Sequence, residues 1–250
     1  MTAPPATCLL LDGSFDNWGL PALLETVQRA EERGLALVVL PDRIAAADGT
    51  GAWPDASLLA GWLAAQTRTI GFLVATSTIG HQPYNLARRI ASLDMLSGGR
   101  MGWLVRNGDE ANESAAFSGS TRLAGGNTPD RVVEFVSVVR GLWEGWDADA
   151  LLFDREGARF LDPAGMHVLG HHGTHFSVQG PLNVMRSPQD RPVLATEDPV
   201  PGFGIDLILG EPSLLVADSL DAARRLLADL PPSPLPPATL RGRLGLEHSR

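Results

Sequence analysis

Few residues in this chain are of types and spacings that could do chemistry. Four of its six histidines, His167, His171, His172 and His175, fall within nine residues. Imidazoles are good zinc ligands, but the HExxH spacing that sets two ligands on one helix face with a general base between them is missing. Gly170 and Gly173 also break any helix there, so the cluster reads as polar residues on a hairpin. Asp42 follows an apolar run, at the kind of strand end where α/β folds place active sites, and equally where an Asp simply caps a loop. Ser77 ends another such run in ATSTIGHQPY, with His81 in the loop beyond it as a solvated histidine or a second pocket residue. Trp143 and Trp146 in LWEGW could form a substrate platform, although helical packing accounts for at least the first. GxSxG, the P-loop and GxGxxG are absent, and SGGRMG precedes a strand, which makes its glycines a helix stop.

The elements that carry these residues alternate. Strands are expected at 7–11, 36–40, 70–77 and 101–105, and helices at 20–33, 56–66 and from Pro83 to the Gly98-Gly99 stop. In that last helix Leu86, Ile90 and Leu93 mark the buried face. Alternating helices and strands call for a parallel sheet with helices packed outside it. Residues 108–127 are polar and glycine-rich, a long loop. A helix returns over 129–145, and the rhythm lapses from Leu151 to Val184, where a hairpin is expected with Gly170 to Gly173 at its turn. Strands at 191–195 and 204–209 and a helix at 217–230 follow. Five prolines within 231–237 read as a stiff linker to a tail, leaving residues 1–230 as a single domain.

Composition narrows the function. The 250 residues suit one large α/β domain, and 44% hydrophobic with 20% charged residues is ordinary for a soluble enzyme. A net charge of −9 argues against nucleic acid, since binding phosphates needs a concentrated basic face. The single cysteine, Cys8, excludes an internal disulfide and fits a reducing cytoplasm. No run of about 18 apolar residues is present to span a membrane.

PYNLAR and SLDMLSGGRMGW (83–88 and 92–103) resemble the signature of the bacterial luciferase-like flavin monooxygenases, in the branch with the nitrilotriacetate and dibenzothiophene sulfone monooxygenases. The segments EFVSVVRGLWEGWDADALLFDREGARFLDP, HFSVQGPLNVMRSPQDRPVL and TLRGRLGL are similar to later motifs of that family, in the same order. The resemblance implies an α/β, TIM-barrel-like (β/α)8 fold, incomplete or remodelled after its fifth strand. It implies FMN, delivered reduced by a separate flavin reductase, and insertion of one oxygen atom from O2 into a small organic substrate. Asp42 and Ser77 stand where family members approach the flavin. The family's flavin-contacting asparagine is replaced by Leu104, with Arg106 and Asn107 as substitute donors. An Arg-Tyr pair becomes Thr128-Pro129, and the segment that holds the FMN phosphate becomes ATEDPVPGFG, bearing Glu197 and Asp198. A homodimer is expected, because missing barrel segments leave apolar edges. The alternative is a catalytically inactive flavin-binding or interaction protein derived from the same family.

Overall fold

A computed structural model describes residues 7–12, 19–43, 53–106, 113, 115–116, 128–198, 204–210, 214–233 and 238–246. The first half follows the expected alternation. Strands β1 (Cys8–Leu11), β2 (Leu37–Pro41), β3 (Gly71–Thr76) and β4 (Met101–Val105) are joined through helices α1 (Leu20–Glu32), α2 (Ala56–Ala64) and α3 (Pro83–Ser97). Helix α3 stops where its sequence requires: Gly98 adopts φ 72, and the Gly99 amide bonds the Asp94 carbonyl at 2.8 Å. That left-handed conformation is cheap only for glycine. Met101–Val105 is buried along its whole length, as its unbroken apolar run predicts.

Helix α4 (Pro129–Trp143) is capped by Thr128. Two antiparallel hairpins come next, β5 (Leu151–Asp154) with β6 (Arg159–Leu161), and β7 (His171–His172) with β8 (Ser177–Val178). The second is the expected hairpin with its turn moved. His171 pairs with Val178 and His172 with Ser177, so the chain reverses over 173–176 rather than 170–173. The Glu134 carboxylate gathers the turn there by accepting the His175 and Phe176 amides at 3.0 and 2.8 Å.

Strand β9 (Val193–Thr196) rejoins the sheet and β10 (Leu207–Ile208) pairs with it. Strand β11 (Leu214–Ala217) crosses to the far edge and pairs with β1. Local sequence does not mark this strand, since Ala217 reads as the start of a helix. Instead the Ser219 hydroxyl caps α5 (Leu220–Ala228), and Ala217 lies opposite Leu11. The sheet is thus seven parallel strands in the order β10-β9-β4-β3-β2-β1-β11, curled into a half-barrel that departs from regular βα alternation after β9.

Strand parity gives the sheet two faces. Leu9, Val38, Leu40, Phe72, Val74, Met101, Trp103 and Leu194 pack against the helices. Leu37, Val39, Leu73, Ala75, Leu104, Val193 and Ala195 line the inner face. The N-terminal end of that inner face is closed by residues 238–246, with helix α6 (Leu240–Arg243). Leu240 is fully buried, and a Cβ on Gly71 would sit 2.6 Å from its Cδ1. Arg241 bonds Asp206 through two nitrogens at 3.1 and 2.8 Å, and Asp206 also holds Arg191. Burial raises the Asp206 carboxyl, but the two guanidinium groups outweigh it and leave Asp206 below the ordinary carboxylate range.

Candidate functional site

The candidate residues gather at the opposite end, where the parallel strands terminate. They divide by face. Leu104 is an inner-face residue and 2% exposed. Arg106, Ser77 and Glu197 are the first residues beyond β4, β3 and β9. Arg106 Nε lies 3.9 Å from Glu197 Oε1 across the ends of β4 and β9, with both side chains partly exposed. The Thr196 hydroxyl bonds the Asp198 carbonyl at 2.7 Å. Asn107 lies outside the described residues.

Ser77 is buried, and its Oγ donates to Glu113 Oε2 at 2.5 Å while accepting the Ile79 amide at 3.3 Å. Glu113 is itself 9% exposed. Beside this pair, the buried Arg131 guanidinium donates to the Thr78 carbonyl and hydroxyl at 3.3 to 3.4 Å and stacks over the Phe176 ring at 5.1 Å. Its burial lowers the Arg131 pKa from the ordinary guanidinium value.

Asp42 turns to the helix side. Its Oδ1 accepts the Ala56 amide at 3.3 Å as α2 begins, and its Oδ2 accepts the Thr76 hydroxyl at 3.2 Å. Thr76 has one proton, so with that bond made its oxygen is the acceptor for His81 Nε2 at 3.0 Å. His81 Nε2 stands 3.9 Å from Asp42 Oδ2. Burial, reinforced by the Asp55 carboxylate, raises the Asp42 pKa against the pull of the Ala56 amide, His81 and Thr76. Burial also lowers that of His81. Burial thus disfavours the charged form of both Asp42 and His81, and the Thr76 hydroxyl links the two.

The histidine cluster does not converge. His171 bonds Glu134 at 2.9 Å, His172 bonds Ser177 at 3.0 Å and His167 bonds Asp147 at 2.9 Å. Among the described residues no group of three or more His, Cys, Asp or Glu side chains is placed to hold a metal ion. Trp143 and Trp146 are both buried, their indole N–H groups bonded to the carbonyls of Ala87 and Leu182, so neither offers a platform. Sequence reasoning misses Glu113, Arg131 and the Thr76 bridge. Only Thr76, in the ATST stretch, sits beside a residue that its position singles out.

A family profile described as luciferase-like monooxygenase matches residues 13–201. This chain belongs to the luciferase-like monooxygenase family. Among its luciferase-like relatives, N-acetyl-S-(2-succino)cysteine monooxygenase of Bacillus subtilis (strain 168) is 43% identical over 53% of this chain and 30% of its own length. A component of the pristinamycin IIA synthase of Streptomyces pristinaespiralis is 38% identical over 84% of this chain and 69% of its own. Dibenzothiophene-sulfone monooxygenase of Rhodococcus erythropolis is 38% identical over 67% and 40%. The solved structure of a riboflavin lyase superposes with TM-score 0.61 at 31% identity, covering 77% of this chain and 50% of that one. A long-chain alkane monooxygenase, at 22% identity and TM-score 0.67, shares the fold over 80% and 53%. The chain thus spans about half of each of these two structures and 30% to 69% of the three relatives named above.

The donor set at the rim suits the ring of a flavin. Ala75, Leu104 and Ala195 make an apolar inner wall, and the polar residues Ser77 and Arg106 directly follow β3 and β4 in the chain. Glu197 and Asp198, exposed at the end of β9, set negative charge where an anionic phosphate would be repelled. The fit is therefore to the ring, and the end of β9 is not matched to the phosphate.

Proposed function

We propose that this chain forms the flavin-side half-barrel of a monooxygenase that inserts one oxygen atom from O2 into a small organic substrate, using reduced FMN supplied by a separate flavin reductase. What supports the reading is the family match, together with the apolar inner wall of Ala75, Leu104 and Ala195 near the strand ends that lead into Ser77 and Arg106. When bound, the reduced flavin supplies the two electrons that send one oxygen to the substrate and the other to water. The chain's own residues bind and shield. Ser77 and Arg106, with Asn107, would hold the polar edge of the ring, and Leu104, Ala75 and Ala195 exclude water beneath it. Asp42, engaged with Ala56 and Thr76, would act one layer behind the ring, through the Thr76–His81 bridge.

A homodimer in the cytoplasm is part of the proposal. Its support is the pair of sheet edges at β10 and β11, which have no strand neighbour among the described residues, together with exposed Ile208 and Val216 beside them. The lone cysteine, Cys8, is buried, and no helix among the described residues is long and apolar enough to cross a membrane.

The test is a titration of the purified chain with FMN, followed by flavin fluorescence. Saturable binding is expected, with oxygen consumption dependent on an organic substrate once NADH and a flavin reductase are added. No binding at tens of micromolar FMN sinks the proposal.

A further inference from the structure

The β5–β6 hairpin presents two aromatic rings to solvent. Phe153 and Phe160 are 62% and 56% exposed and meet edge to face, with centroids 5.3 Å apart. Single exposed apolar residues are ordinary, but an exposed aromatic pair is informative where it walls a concavity. Here the rings, with Asp154, Arg155, Ala158 and Arg159, line a cleft of about 300 Å³, at the lower end of the range for small-molecule sites.

The hairpin holds this shape through its own bonds. Asp154 Oδ1 accepts the Gly157 amide at 2.8 Å, and Oδ2 accepts Nε and Nη2 of Arg159, each at 3.3 Å, so one carboxylate ties the turn to the second strand. Phe153 and Ala158 sit at φ 48 and 50, a left-handed conformation that is costly for a residue with a Cβ. Charge in the cleft is unbalanced. Asp154 and Arg159 neutralise one another, whereas Arg155 makes no hydrogen bond or ion pair among the described residues. An aromatic wall thus stands beside one uncommitted guanidinium, whose planar fork suits a carboxylate. We propose that the β5–β6 hairpin is a second binding site, for a small aromatic carboxylate whose ring rests on Phe153 and Phe160 and whose charge is met by Arg155. None of the rim residues takes part, so the site stands independently of the flavin reading.

The experiment titrates the intact chain with fluorobenzoate and, separately, with fluorobenzyl alcohol, following line broadening by fluorine NMR. Fluorobenzoate is expected to bind in the millimolar range, as fits a cleft open to solvent, and about threefold more tightly than the alcohol, the share an exposed ion pair supplies. Arg155→Gln breaks no bond in the hairpin and is expected to bring the two probes to equal affinity. Salt at about 0.5 M is expected to do the same in the wild type by screening the charge. Phe160→Ala removes one wall and is expected to weaken both probes about fivefold. Unchanged fluorobenzoate affinity in Arg155→Gln overturns the inference, as does equal binding of the two probes by the wild type or no binding at all. Loss of fluorobenzoate in Arg106→Gln but not in Arg155→Gln assigns the probe to the rim, which overturns the second site and leaves the flavin reading standing. If Phe160→Ala does not fold, Arg155→Gln decides alone.

Discussion

Asp94 offers a sharp test of the packing that joins α3 to the sheet. Its side chain is fully buried and accepts the Met101 amide at 2.8 Å and Gln189 Nε2 at 2.6 Å on Oδ1, with the Ser187 hydroxyl on Oδ2. Gln189 in turn accepts the Arg241 amide at 2.8 Å, so one carboxyl links α3, β4 and α6. Burial pushes its pKa up to about 6, against the opposing pull of Ser187, Met101, Gln189 and Arg241. Since the folded value lies above the unfolded one, the folded state holds this proton more tightly. The contribution is full below the unfolded pKa and is lost as pH rises through about 6. A shift of about two units corresponds to about 3 kcal/mol. Asp94→Asn keeps the shape and the Oδ1 acceptor, and its Nδ2 can donate to Ser187 Oγ, while the titration disappears. Urea unfolding of both proteins, followed by tryptophan fluorescence at pH 4, 5, 6 and 7, isolates the term. Comparing variant with wild type cancels the opposite slopes of Glu31, Asp55 and Asp206, whose pKa values are lowered. The variant is expected to gain about 2.4 kcal/mol on the wild type between pH 4 and pH 7, because at pH 4 the unfolded carboxyl is already partly ionised. A difference that does not change with pH refutes the reasoning.

Arg241→Met strips one guanidinium from the buried Asp206 and is expected to cost about 3 kcal/mol or more, read from chemical denaturation; a loss under about 1 kcal/mol would mean that Arg191 alone suffices. Gly102→Ala places a Cβ 2.5 Å from the Val193 carbonyl, which is backbone and cannot swing away, whereas Gly71→Ala meets only the tip of Leu240. Thermal melts should therefore rank Gly102→Ala well below Gly71→Ala, and the reverse order would contradict this packing. If the flavin reading holds, Arg106→Gln weakens FMN about tenfold in a fluorescence titration, with fold and melting temperature unchanged. Equal affinity in Arg106→Gln would remove that residue from the site.

The sequence makes the outer architecture plain because it repeats one device. Apolar runs such as Met101–Val105, helix faces such as Leu86 and Ile90, and the Gly98 stop are local signals that need no partner to be read. Asp42 and Ser77 are legible in the same way, as polar residues just beyond such runs. What escapes depends on contacts far along the chain. Glu113 lies 36 residues from Ser77 in a polar stretch without period, so nothing local marks it as buried. Strand β11 has four residues and acquires its identity from pairing with β1, more than two hundred positions earlier. The prolines of 231–237 suggest a linker, yet the residues after them supply Leu240 and Arg241, both almost wholly buried. A tail sequence does not announce that it closes the inner face of a sheet.

That closure also shapes how the molecule is made. Strands β1 to β4 can associate soon after each is synthesised, since each lies beside its predecessor. Their inner face, from Leu37 to Ala195, stays uncovered at its lower end until Leu240 and Leu244 leave the ribosome. An apolar surface exposed through most of translation is a site for chaperones or aggregation, and contacts of such long sequence separation form slowly. Weakening the Arg241–Asp206 latch would accordingly show itself first as reduced soluble yield during expression, ahead of any change in the chemistry at the opposite rim.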